Sequence, residues 1–415
     1  MAEETLRWWV GVDWAWATHQ VCVLDATGRV VAEREVAHSG TGLAELGEWL
    51  CRVTAAAPAT IGVAIEVPHG PVVESLLAQG FAVHAINPKQ LDRFRDRFTV
   101  AGAKDDRRDA RVQAEALRTE PAALRRLRAE PATLLELREW SRLREELIHE
   151  HGALLNRLRE QLRRYYPQAL ALTDDLTAAW YWALLERAPT PAAAATLRPA
   201  TVTRLLRRYR VRRLDAATVL STLQAPALRV SPGTVAAASA HVGLLLARLR
   251  LLRAQLATCE TRLVALCDAL AVPDPARRAA GEQSDVTILR SLPGVAEVII
   301  AALLAEAAHI VAERDYHTLR ALSGVAPVTR RSGTRHMVTM RAACNHRLRD
   351  AVRHWAHNAC LHDPVAARLY ATLRARGHSQ ARALRSVADR LLAVACAMLR
   401  DRTLYDPARR ERLVA

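Results

Sequence analysis

Four carboxylates, Asp13, Glu66, Asp106 and Asp109, are the side chains in this sequence best suited to chemistry. Asp13 lies in the apolar run Val10-Gly11-Val12-Asp13-Trp14, and Glu66 ends a second run that starts at Ile61. An acid at the end of an apolar strand is costly unless it is solvated, paired or bound to a metal. Oxygen ligands gathered from separate elements are what hard divalent cations need. Two such ions about 3.5–4 Å apart can clamp a phosphodiester during in-line displacement. Asp106 and Asp109 stand in Lys104-Asp105-Asp106-Arg107-Arg108-Asp109-Ala110. A helix starting there puts Asp106 and Asp109 on one face, which selects Asp106 over the adjacent Asp105, although Asp106 could also serve as a helix cap. The pattern points to metal-dependent chemistry on nucleic acid.

A second group of residues suits the same substrate. Ser332 is flanked by Arg330, Arg331, Arg335 and His336. Arginines beside a serine can bind the phosphate under attack and favour its charged transition state, while a serine before glycine also reads as a plain turn. Leu292-Pro293-Gly294-Val295 separates two apolar helical segments, as in a helix-hairpin-helix, whose turn offers backbone N–H groups to phosphate. Ala296 stands where such turns carry a second glycine. His354, His357 and Cys360 would share a helical face, but tight loop-borne ligand pairs for zinc are missing. No GxxxxGK loop is present, which argues against an ATP-driven motor.

The formal charge is +16, and Lys89 and Lys104 are the only lysines. Arginine-rich coding explains the Arg/Lys ratio but not the sign, and a charge of this size favours a polyanionic partner. The seven cysteines are scattered without a CxxC pair, so free thiols in a reducing compartment are expected. The acidic start of the chain carries no apolar leader. The apolar stretch Val298 to Ala308 is too short to span a bilayer. A cytoplasmic, membrane-free protein is the expectation.

The elements that must position these residues follow from hydrophobic period. Strands are predicted at 8–14, 19–25 and 29–37, a helix at 41–53, the Glu66 strand, a helix at 71–79, a strand at 81–86 and a helix from about Arg107. This β-β-β-α-β-α-β-α order is the ribonuclease-H-like arrangement. Two long helical patterns follow. Trp140, Leu143, Leu147, His151, Leu154, Leu158, Gln161 and Tyr165 form one stripe; Leu245, Leu249, Leu252, Leu256, Cys259, Leu263, Leu266 and Leu270 form a cleaner one. Alternating three- and four-residue spacing predicts an antiparallel coiled-coil pair, with ordinary bundle helices as the alternative for the first. The pair flanks a proline-broken helical insert at about 168–235. A linker is expected from Ala271 to Ser284, then a mostly helical region at about 285–405 with a β-like segment near Val325 to Thr339.

With these motifs located, the chain resembles the DEDD transposases of bacterial insertion sequences, the group described as bridge-RNA-guided recombinases. The residues that carry the resemblance are Gly11-Val12-Asp13-Trp14-Ala15, Ala64-Ile65-Glu66, Lys104 to Ala110, Leu292 to Val295, Gly324-Val325-Ala326-Pro327, Arg331-Ser332-Gly333 and Asn345 to Arg349. The resemblance implies a RuvC-like catalytic domain over 1–125, coiled-coil helices over 131–270 and a transposase domain over 285–405. It implies that Asp13, Glu66, Asp106 and Asp109 bind magnesium (or manganese) and that Ser332 attacks DNA, forming a phosphoserine link and freeing a 3′-hydroxyl. Arg107, Arg108, Gly294, Arg330, Arg331 and Arg335 are the candidate nucleic-acid contacts. The implied partners are donor and target DNA, a structured noncoding guide RNA and further copies of the chain, as a dimer or tetramer, in the bacterial nucleoid. A metal-dependent nuclease using water, and a non-catalytic RNA-binding scaffold, remain the alternatives.

Overall fold

A computed structural model describes residues 5–97, 105–272, 282–333 and 335–407, with the side chains of Arg330 and Arg335 outside that description. Lys104 and most of the expected linker also lie outside it. The chain divides into two compact units, Met1–Pro131 and Ala132–Ala415.

In the first unit, strands β1 (Trp8–Trp14), β2 (Thr18–Leu24), β3 (Val30–Ala37), β4 (Ile61–Ile65), β5 (Ala82–Ala85) and β6 (Arg125–Arg126) form one sheet in the order β3-β2-β1-β4-β5-β6. β1, β2 and β3 pair antiparallel, β4 and β5 run parallel to β1, and β6 is an antiparallel edge. The expected strands and order are present, consistent with a RuvC-like fold; the two-residue β6 was not anticipated, being two exposed arginines with no apolar signal. The period of two in β1 sorts its residues onto two faces. Val10 and Val12 pack with Val21, Val23 and Val63 beneath α1 (Gly40–Thr54) and α2 (Pro71–Ala78), which contribute Leu46, Leu50, Val72 and Leu76. The opposite face is covered by α3 (Pro88–Asp96) and α4 (Asp106–Thr119), where Ala64 packs with Leu91, Phe94, Val112 and Ala116, and Cys22 and Leu24 pack with Ala110 and Ala114.

Gly11 sets how close α4 comes to the sheet. A Cβ at this position would lie 1.8 Å from the Ala110 carbonyl oxygen and 2.7 Å from the Ala114 amide nitrogen. Gly11→Ala therefore forces backbone against backbone. A loss of at least about 1–3 kcal/mol is expected, as for other overpacked cores, read as a lowered unfolding midpoint in urea; an unchanged midpoint would show that α4 yields freely.

Among its described residues, the second unit is helical apart from one hairpin. Helices α5 (Ala132–Tyr165) and α11 (Pro232–Ala271) lie antiparallel, tied across by Glu136–Arg262, Arg144–Glu260 and Glu150–Arg248. On α11 the expected stripe is buried at Leu245, Leu249, Leu252, Cys259, Leu263 and Leu266. On α5 the stripe differs from expectation: Leu143 is 40% exposed, while Leu137 and Leu162 are buried. Its polar members leave it a weak seam; the insert buries Leu162, while the C-terminal helices bury Leu137. By length and composition α11 could cross a membrane; its buried stripe and cross-helix ion pairs instead make it a core helix of this unit.

Between the long helices come α6 (Pro167–Leu170), α7 (Ala179–Arg187), α8 (Pro191–Ala195), α9 (Pro199–Arg208) and α10 (Ala216–Leu223). Prolines expected to break the insert also begin its helices. Pro167, Pro191 and Pro199, like Pro232 of α11, occupy first-turn positions, where the missing N–H costs nothing. Tyr165, Tyr166, Trp180, Tyr181 and Trp182 are buried there against leucines of α5 and α11.

The remaining helices are α12 (Asp285–Arg290), α13 (Glu297–Glu313), α14 (Tyr316–Leu322), α15 (His346–His362), α16 (Pro364–Ala375) and α17 (Gln380–Asp401), with the hairpin β7 (Val328–Ser332) and β8 (Arg335–Thr339) between α14 and α15. Trp355 is fully buried at their centre, and its indole N–H donates to the Pro293 carbonyl at 3.0 Å.

Candidate active site: strand-end acids and a hairpin serine

The first unit brings three of the elements carrying acids together. β1 and β4 run parallel with Val12 opposite Ile65. Asp13 and Glu66, one residue further on, therefore stand at neighbouring C-terminal strand positions, both half-buried. Ligand and catalytic groups in open α/β sheets gather at this end. Helix α4 begins with Asp106, exposed, and carries Asp109, which is 2% exposed. Asp105 is the N-cap, its side chain accepting from the Arg107 N–H at 3.2 Å. Asp105 is thus spent on the helix end, while Asp106 and Asp109 share a face of α4.

Two residues that sequence reasoning passed over complete this region. Gln113, one turn beyond Asp109, is fully buried. With its amide oriented to suit its two neighbours, its nitrogen donates to Val12 O at 2.8 Å and Ala64 O at 3.1 Å, an assignment from the hydrogen-bond partners. It pins α4 to β1 and β4 just before Asp13 and Glu66. A glutamine four residues after an acid on an otherwise apolar face was the available signal. The second is Arg95 of α3. Its Nε and one terminal nitrogen donate to the two oxygens of Asp109 at 2.8 and 2.9 Å, and the other terminal nitrogen reaches Asp92 at 2.7 Å. Burial opposes the guanidinium charge, but Asp109 and Asp92 outweigh it and hold its pKa above the usual arginine value. Nothing in the sequence around Arg95 marks it.

Arg95 bears directly on the metal expectation. The acids offer only hard oxygen donors, the set that magnesium or manganese prefers. Asp13 and Glu66 stand at neighbouring strand ends and offer that donor set. Both oxygens of Asp109 instead face Arg95, and among the described residues no group of three or more His, Cys, Asp or Glu side chains is gathered tightly enough to hold an ion. The same applies to His354, His357 and Cys360. Arg95→Gln would leave a buried carboxylate without its bidentate partner. That should cost about 3–5 kcal/mol, seen as a drop in the thermal midpoint without added metal; no drop would mean that Asp109 is held by other groups.

In the second unit Ser332 is the last residue of β7, exposed beside the hairpin turn, in register with Arg335; Arg331 is exposed and in register with His336. Gly333 has φ +55°, the left-handed backbone that short hairpin turns require. The Ser332 hydroxyl bonds to no other described residue, so it is presented to solvent. Gly294 has a packing reason to be glycine: φ is +73°, and a Cβ would lie 2.5 Å from the Ala359 amide nitrogen of α15. The following helix α13 has Ala296 as its N-cap, with no side-chain cap bond, and Glu297 in its first turn is held by Arg290 at 2.7 Å. A carboxylate there disfavours a phosphate at that terminus. Arg107 is exposed and Arg108 half-buried beside Asp106.

Comparison with known proteins covers both units. Residues 10–167 match the transposase family of DEDD type named for IS110, and residues 286–371 match the transposase IS116/IS110/IS902 family. A Sinorhizobium fredii protein named as transposase y4uE is 54% identical over 209 residues, which is 50% of this chain and 58% of that protein. The mini-circle transposase protein for IS117 of Streptomyces coelicolor is 33% identical over 99% of this chain and 98% of its own length. The insertion element IS116 44.8 kDa protein of Streptomyces clavuligerus is 28% identical over 97% of both. Membership of a DEDD transposase family implies a DNA substrate and dependence on a divalent metal ion. The chain belongs to the IS110/IS116/IS902 family of insertion-sequence transposases.

Proposed function

We propose that this transposase cuts and rejoins DNA through a covalent serine–DNA intermediate, using Ser332 as nucleophile and the strand-end acids as its metal site. The observation that carries the reading is that the two family matches enclose both sets of residues: 10–167 holds Asp13, Glu66, Asp106 and Asp109, and 286–371 holds Ser332. A water-using nuclease needs only the first set.

Asp13, Glu66, Asp106 and Asp109 would hold magnesium or manganese, with Arg95 releasing Asp109. The ion's chemistry is to neutralise the phosphate and polarise it for displacement. Ser332 loses its proton to solvent, its Oγ bonds to phosphorus, and the bond from phosphorus to the 3′-oxygen breaks. That oxygen takes up a proton and leaves as a free 3′-hydroxyl. Attack by the 3′-hydroxyl of another strand reverses these steps, restoring the serine. Arg331, Arg330 and Arg335 flank the serine and would clamp the phosphate, while Arg107 and Arg108 would hold the backbone beside the acids.

The three parts of the chain then act as a RuvC-like catalytic domain, a coiled-coil spacer with its helical insert, and a transposase domain. Sites assembled from two protomers of a dimer or tetramer would join acids and serine. A structured RNA that pairs with donor and target would relieve the protein of reading sequence, leaving it shape and backbone. The test is denaturing electrophoresis after incubation with element-end DNA, its flanking noncoding RNA and magnesium. A protein–DNA adduct that requires all three is expected; cleavage with no adduct would replace the reading with a water-using nuclease.

A further inference from the structure

We infer that the arginine face of α9 and the turn after it form a second, non-catalytic docking site for the phosphate backbone of duplex DNA. Six arginines, Arg204, Arg207, Arg208, Arg210, Arg212 and Arg213, fall within residues 204–213. All six are exposed. On α9 the apolar residues Val202, Leu205 and Leu206 are buried. Helical spacing puts Arg204, Arg207 and Arg208 on the opposite side, so the charge is a face of its own.

Elsewhere in this unit Arg142, Arg250, Arg262, Arg290, Arg320 and Arg347 pair with carboxylates, whereas these do not. Among the described residues, Arg204, Arg207, Arg208, Arg210 and Arg212 have no carboxylate partner, and Arg213 donates to the Thr173 hydroxyl at 2.7 Å. The nearby acid, Asp215, caps α10 by accepting from the Thr218 N–H at 2.7 Å. Unpaired arginines packed this closely repel one another, and a polyanion removes that cost.

Arg210 supplies an independent observation. It has φ +55° and closes α9, with Val211 N–H donating to Leu206 O at 2.9 Å and Arg210 N–H to Arg207 O at 3.1 Å. Glycine is the usual residue in this helix-ending geometry, and a side chain there costs roughly 1 kcal/mol. Two other arginines adopt the same left-handed backbone, Arg314 at +59° and Arg402 at +54°. Both use the position to hold Asp285, at 2.6 and 2.7 Å. Arg210 keeps the same backbone with no carboxylate partner among the described residues, which leaves its guanidinium open to an external anion.

The surface suits a duplex rather than an unpaired strand. Single-stranded sites combine basic grooves with exposed aromatic platforms. No large hydrophobic residue between 198 and 215 is exposed, and the half-buried Tyr209 carries the Arg208 guanidinium 5.7 Å above its ring. Arginine forks match phosphate geometry, and contacts to the backbone need no stacking surface. The inference rests on the family's DNA substrate and not on the serine step.

The experiment measures full-length protein binding to a duplex of arbitrary sequence, in EDTA, across a salt series. Removing one arginine–phosphate pairing should lower the slope of log K against log salt by about 0.9. The triple change Arg204→Gln, Arg207→Gln, Arg208→Gln is expected to lower it by about 2–3. Arg210→Gly is expected to lower it by about 1 while the thermal midpoint holds or rises, because glycine relaxes the turn; Arg210→Lys should keep the slope. Unchanged slopes for both the triple variant and Arg210→Gly would overturn the site. Loss confined to an RNA duplex of the same length would overturn its assignment to DNA. Because no cleavage is involved, either failure leaves the Ser332 adduct test untouched.

Discussion

Ser332→Ala is expected to abolish the covalent protein–DNA adduct and all strand-joined product while leaving DNA binding near the wild-type level. The expected drop is to the detection limit, because the reaction proposed has no second nucleophile that conserves the phosphodiester energy. Water could still cleave at the acids, but the 5′-phosphate it leaves cannot be resealed without an energy source. The substitution is also structurally mild. Ser332 is exposed at the end of β7 and its hydroxyl bonds to no other described residue, so a stability change within about 0.5 kcal/mol is expected. Loss of adduct with an intact thermal midpoint and unchanged duplex affinity isolates the chemical step. A persistent adduct in Ser332→Ala would remove the serine from the mechanism and direct the search to another hydroxyl.

How much of this was legible in the sequence depended on whether the signal was local. The sheet was legible because each of β1 to β5 announces itself by apolar period and by turn residues. The positions of Asp13 and Glu66 followed, since an acid closing such a strand has few structural uses. Asp106 was separable from Asp105 by helical spacing, and the structure gives Asp105 its own task as N-cap. Gly11 was visible inside a strand-like run, and glycine in a strand often marks close backbone approach, yet what approached it could not be read. Arg95 was opaque because its meaning lies in a tertiary pairing with Asp109 across 14 residues. The seam of α5 was misread at Leu143 for a similar reason: its polar positions leave the period ambiguous, and burial is decided by the other helices that pack against each half of it. The hairpin around Ser332 was legible as a β-like segment, whereas the inward packing of Gly294 on α15 was not, since a turn glycine looks the same whether it faces a helix or a phosphate.

Asp13→Asn and Glu66→Gln are expected to reduce DNA cleavage and rejoining by at least about 10²–10³-fold each, the loss typical when one preorganised charge-stabilising group is removed from a phosphoryl or acyl transfer site. The two residues sit at neighbouring ends of parallel strands, so either change halves the carboxylate charge offered there. Glu66 is half-buried and the amide is nearly isosteric, so Glu66→Gln should hold its thermal midpoint in EDTA. Added magnesium should separate it from wild type. A ligand that binds only the folded state stabilises it by RT ln(1 + [L]/Kd), about 2.7 kcal/mol at a hundredfold excess over Kd. Wild type should gain that increment and the variants should not. Arg95 sharpens the expectation, because an ion that recruits Asp109 must displace a bidentate guanidinium. Part of the binding energy is consumed in that exchange, so the wild-type increment should be smaller than the ion's intrinsic affinity implies. Glu66→Gln or Asp13→Asn variants that kept both full activity and the full magnesium-dependent rise in midpoint would place the metal, and with it the phosphate under attack, somewhere other than at these strand ends.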